Sequence, residues 1–230
     1  MDTNVEELLE KVLESFKDID YIRTADIPSI DLYMDQVTTF MDSKLKNTTR
    51  KPDEDKILTK TMINNYAKSD LLPPPVRKKY TKEHLLVMTF IYYFKSVMSI
   101  GDIEVVLKPI TEKYFGKTGM SMKHIYSEIL KMEMPQLAKM EDDLKEKCAV
   151  AKESFSDSAD DTHNFLQIFA LISMLSMDVF AKKLLIERMV DELAAMTATD
   201  TDDDAKKDVK KEAKKEPKKE TKKETKKEDK

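Results

Sequence analysis

Five donor side chains, Lys60, Thr61, Asn64, Asn65 and Lys68, recur within one short run at steps that bring them together on a helix. At about 100° per residue they occupy roughly 0 to 140° of the wheel, and Met62, Ile63, Tyr66 and Ala67 occupy roughly 200 to 340°. The polar half carries ammonium, amide and hydroxyl groups and no acid. Such a face can donate to phosphates and to base edges, asparagine pairing bidentately with adenine, although an ordinary solvated surface has the same make-up. A basic strip, Arg77, Lys78 and Lys79, follows a short distance on. Nothing comparable supports covalent or metal chemistry. His84, His124 and His163 are scattered without paired-ligand spacing, Cys148 stands alone in a charged helix, and the glycines of YFGKTG lack the spacing of a phosphate loop. The chain therefore reads as a binder and not an enzyme, with no cofactor.

Charge supports that direction. Between Lys44 and Lys82 there are eleven Lys/Arg against four acids, +7; from Thr197 onward thirteen lysines face eleven acids, +2; the formal net charge of −4 leaves −13 for everything else. One basic island on an acidic body marks a surface for a polyanion. Forty per cent apolar residues suffice for a core, while 37% charged residues, three glycines and no tryptophan favour helices over sheets. A single cysteine, an acidic start and no sufficiently long apolar run suggest a reducing, cytoplasmic setting away from membranes.

The elements that must hold the polar face can be read in order. Val5, Leu8, Val12, Leu13, Phe16 and Ile19 give an amphipathic helix over 4–19, suited to packing on the body or on a second copy. Ser29 is the expected cap of a helix reaching Asp42, with Tyr33, Val37, Phe40 and Met41 as its apolar stripe. Residues 43–57 read as a loop. Thr59 then suits the N-cap of the polar helix, Leu58 and Ile63 have staple spacing, Asp70 tolerates a helix-ending turn, and Pro73, Pro74 and Pro75 forbid continuation. The strip from Val76 to Tyr80 is expected to be a small hairpin or an extended strap. Thr81 caps a further helix, and Ser99 with Asp102 nearly forms a capping box for the next, whose stripe is Ile103, Val106, Leu107 and Ile110.

The runs NNYAKSDLLPPP, KKYTKEHL and SIGDIEVVL resemble the DNA-binding domain of MerR-type winged-helix regulators. The stretch from Pro28 to about Ile110 also resembles an uncharacterised bacterial family, a domain of unknown function, through LYMDQV and LTKTMINNY. Asn64 stands where many MerR-type members have arginine, Asp70 replaces the usual glycine, the wing is short and the first loop is long. The resemblance implies a helix–turn–helix in which Lys60, Thr61, Asn64, Asn65 and Lys68 face the major groove of double-stranded DNA. It also implies that Arg77, Lys78 and Lys79 clamp the flanking backbone; Thr59 and Tyr80, at the borders of the two segments, complete the expected DNA-binding set. About five neutralised phosphates per protomer would make log K fall steeply with log salt, at roughly 0.9 per contact.

The second half is expected to be helical from Ser121 toward Met132, to kink or restart at Pro135, and to continue over Gln136–Phe155. A polar break at 157–161 precedes the most apolar segment, 165–196, which needs cover on several sides. That cover is read as a bundle that also supplies a two-fold contact, making the chain a homodimer; a monomeric core helix is the other reading. Met174, Met177 and Met189 read as gap-fillers, the other reading being the lining of a site for a small apolar ligand. From Lys206 the KK-[DE]-x repeat has no apolar face and is expected to be disordered. The resulting scheme is an all-α chain: an amphipathic helix over 1–27, a MerR-like domain with a short wing over 28–112, a helical dimerisation region over 113–196, and a disordered, charged tail over 197–230. The expected function is sequence-specific DNA binding, in transcription regulation by analogy with the family; the alternative is a helical protein–protein module with a degenerate helix–turn–helix.

Overall fold

The structure, a computed structural model, describes residues 4–16, 21–156 and 160–212. It is built almost wholly from helices: α1 (Val5–Phe16), α2 (Met34–Leu45), α3 (Lys60–Lys68), α4 (Lys82–Phe94), α5 (Ile100–Tyr114), α6 (Met122–Glu153) and α7 (Asp160–Glu212). Two short strands, β1 (Leu32–Tyr33) and β2 (Lys79–Tyr80), pair antiparallel in the register Leu32↔Tyr80 and Tyr33↔Lys79. The chain falls into two compact units, residues 1–190 and 191–230. Among the described residues, no helix is long and apolar enough to cross a membrane.

One core runs from Ile22 to Tyr126 and explains why α3 sits where it does. Val37, Met41 and Leu45 of α2, Ile63 and Tyr66 of α3, the α4 run from Leu85 to Val87 with Met88 and Ile91, and Ile103 and Leu107 of α5 are all buried in it. The apolar half of α3 thus goes inward as its spacing predicts, and Thr59 caps it, its hydroxyl accepting from Met62 N–H at 3.2 Å. At the other end Asp70 takes φ 57° and Leu72 N–H closes on the Tyr66 carbonyl at 3.0 Å, a left-handed helix end without the usual glycine. The loop before α3 is tied to α4: Thr48 Oγ1 and Tyr92 Oη lie 2.6 Å apart, and Lys95 Nζ donates to the Ile57 carbonyl at 2.9 Å. Ser99 and Asp102 form a complete capping box on α5, at 3.1 and 3.2 Å.

A smaller cluster joins α1 to α6 through Val5, Leu9, Leu144, Cys148 and Ala151, with Leu171 of α7 added. The α1 helix therefore packs on the body, while its expected extension over residues 17–19 lies outside the described residues. Burial pushes the Cys148 thiol up, which keeps it a poor nucleophile.

Several expectations are corrected. The helix after Pro28 starts at Met34 with Tyr33 at its N-cap, not at Ser29, because Leu32 and Tyr33 are taken into the strand pair. Tyr33 is accordingly 53% exposed and not part of an apolar stripe. Pro135 lies inside a continuous α6 and does not restart it. Among the described residues, α7 buries Gln167, Leu171 and Val190 and leaves many of its apolar side chains between 165 and 189 exposed. Residues 197–212 continue the α7 helix, where disorder is expected. The tail beyond, 213–230, lies outside the described residues.

Candidate functional site

The polar half of α3 faces solvent. Lys60, Thr61, Asn64, Asn65 and Lys68 are all exposed, whereas Ile63 and Tyr66 beneath them are buried. Thr59 is half-buried and its hydroxyl is engaged as the cap, so it positions the helix and presents little to a ligand.

The basic strip is a minimal hairpin. Val76 and Lys79 exchange both backbone hydrogen bonds at 3.0 Å, leaving Arg77 (φ 52°) and Lys78 (φ 65°) as a two-residue turn in the left-handed region. Turns of this kind usually hold Asn-Gly, and each bulkier residue there costs on the order of 1 kcal/mol or more. Arg77 and Lys78 are both exposed at the tip. Lys79 is half-buried, its ammonium 5.2 Å from the centre of the Tyr33 ring. Tyr80, expected at the edge of the binding surface, is instead 3% exposed. Its place opposite Leu32 in the strand pair turns the side chain into the core, and it is a structural residue.

The two segments meet a common support. Lys60 pairs with Asp35, and Lys79 lies over Tyr33, so the start of α3 and the hairpin both reach the β1–α2 junction. Sequence reasoning missed Asp35 and Tyr33 as neighbours of the basic groups, since Asp35 reaches Lys60 through the packing of α2 on α3 and Tyr33 reaches Lys79 through the strand pair. Asp35 also offsets one cation of the surface.

His84 locks the hairpin to α4. Its Nδ1 accepts from Thr81 N–H at 3.0 Å and lies 2.8 Å from the Thr81 hydroxyl, which leaves Nε2–H to donate to the Pro74 carbonyl at 3.3 Å. The ring is fully buried between Tyr80 and Phe115, with centroid distances of 5.5 and 4.7 Å. Burial holds its pKa below the usual histidine value, against the raising effect of the Pro74 and Pro73 hydrogen bonds. The folded state thus binds fewer protons than the unfolded chain just below pH 6.5, so this group's stabilising contribution is present above that pH. It is lost as pH falls through 6.5 toward the folded pKa. Replacing His84 by Asn, which keeps an acceptor near Nδ1, should flatten that loss. Urea midpoints measured from pH 7.5 to 5 for both proteins test it, and parallel curves would refute it.

Among the described residues, no group of three or more His, Cys, Asp or Glu side chains could hold a metal. A depression beside α3 is lined by Thr38, Thr39, Asp42, Lys56, Ile57, Leu58, Thr59 and Lys60, and it is open to solvent.

The architecture is thus a helical domain that displays one polar helix and one cationic hairpin from a single core. Residues 22–129 match a family model described as a domain of unknown function, DUF1836. That stretch and the larger core, Ile22 to Tyr126, delimit nearly the same segment. No curated protein and no solved structure matches the chain.

Proposed function

We propose that the chain binds double-stranded DNA sequence-specifically, as a transcriptional regulator, with α3 in the major groove and the hairpin on the adjacent backbone. The observation that carries this reading is the backbone at Arg77 and Lys78. Two long cationic side chains occupy left-handed positions that cost stability, and the hairpin they close projects them into solvent beside a helix face of amides, hydroxyls and ammoniums. Helix α2, the loop and α3 then correspond to a helix–turn–helix with an extended turn, and the hairpin to a shortened MerR-like wing. Asn64 and Asn65 would read base edges, while Lys60, Lys68, Arg77, Lys78 and Lys79 hold phosphates. A protein-contact helix has no need of the exposed Arg77–Lys78 tip, which disfavours the alternative of an interaction module.

Binding to a random-sequence duplex over a salt series tests the proposal at its most general. About four to five phosphate contacts predict a log K versus log salt slope near −4. A slope near zero, or no binding at low salt, overturns it.

A further inference from the structure

Between residues 165 and 183, the side of α7 turned away from buried Gln167 and Leu171 is largely apolar and exposed among the described residues; further along the same stripe Val190 is buried. Phe165, Phe169, Ile172, Val179 and Phe180 are each more than half exposed there. Starting from Phe165, positions 169, 172, 176, 179 and 183 follow at alternating steps of four and three, the spacing of a coiled-coil seam. Ser176 and Lys183 are its polar members.

We propose that this stripe is the surface through which two copies of the chain associate, their α7 helices antiparallel. Size is the first argument. With Met177 and Leu184 at its border, seven large apolar side chains, 38% to 70% exposed, line more than five helical turns, a patch on the scale of the roughly 800 Å² that each partner gives to a stable interface. The second argument is that the stripe complements itself. Parallel copies in register would set Lys183 against Lys183, two ammoniums in one layer. An antiparallel pair with its two-fold axis near residue 174 instead brings Lys183 against the partner's Phe165, Phe169 against the partner's Val179, and Ile172 against the partner's Ser176. The ammonium then meets an aromatic face, an attractive arrangement, and apolar side chains fill the remaining layers.

This association goes beyond the DNA reading and is measured without nucleic acid, so either can fail alone. Sedimentation equilibrium on the full chain at micromolar concentration should give twice the chain mass of 26.6 kDa. Phe169→Glu with Val179→Glu should return it to the single mass with helix content retained, and the concentration dependence of the thermal midpoint should disappear. Leu185→Glu, an exposed change on another side of α7, should leave the dimer intact. In a Cys148→Ala background, Phe165→Cys with Lys183→Cys should oxidise to a linked dimer, and Lys183→Cys alone should not. A monomeric wild type, or dimers that survive the paired Glu changes, would overturn the proposal. Ready cross-linking of Lys183→Cys alone would overturn the antiparallel arrangement.

Discussion

Changing Arg77, Lys78 and Lys79 together to alanine is expected to weaken binding to every duplex by roughly two orders of magnitude at about 0.1 M salt. The slope of log K against log salt should fall by about 2 to 3, near 0.9 for each phosphate that is no longer neutralised. Arg77 and Lys78 are exposed at a turn whose backbone does not depend on them, so the fold should persist; alanine at these positive φ values is no worse placed than the native residues. Asn64→Ala should behave differently. It removes a donor–acceptor pair from the exposed face, costing about 1–3 kcal/mol at a selected site while leaving random DNA unaffected. Fluorescence anisotropy with selected and random duplexes separates the two effects. If neither substitution alters binding, the α3–hairpin surface is not the reading face.

The second large effect concerns what holds that surface. Ile63→Ala should destabilise the domain by about 2–5 kcal/mol, because the side chain has no exposed surface and its removal leaves a cavity in the larger core. A nine-residue helix does not persist alone in water, so α3 depends on its seat. Thr61→Ala on the opposite, exposed side should stay within about 0.5 kcal/mol of wild type. Urea denaturation measures both, and a loss below about 1 kcal/mol for Ile63→Ala would contradict the packing described.

What was legible in the sequence is local. The extent of α3, its Thr59 cap, the turn at Asp70 and the Ser99–Asp102 box depend on residues within a few positions of each other, and the structure bears them out. The errors arise where distant segments meet. Leu32 and Tyr33 read as helix because nothing nearby signals their pairing with Tyr80 and Lys79. For the same reason Tyr80 reads as a surface residue. His84 in the role normally filled by Glu or Gln at the start of α4 leaves no familiar pattern, since its value comes from the Pro74 carbonyl and the Phe115 ring. Proline tells only what its own residue forfeits, and α6 is long enough to absorb one missing hydrogen bond at Pro135.

On the proposed DNA reading, the Lys60–Asp35 pair would bear on selectivity. The ammonium nearest the start of α3 already has an internal counter-ion, and surface pairs of this kind are weak enough to exchange. A duplex drifting along the cationic hairpin would gain nothing from Lys60 and would meet an uncompensated repulsion on dislodging Asp35. One seated fully against α3 would recover the exchange through the amides beside it. Asp35 would thus act as a gatekeeper, discounting casual encounters relative to matched ones.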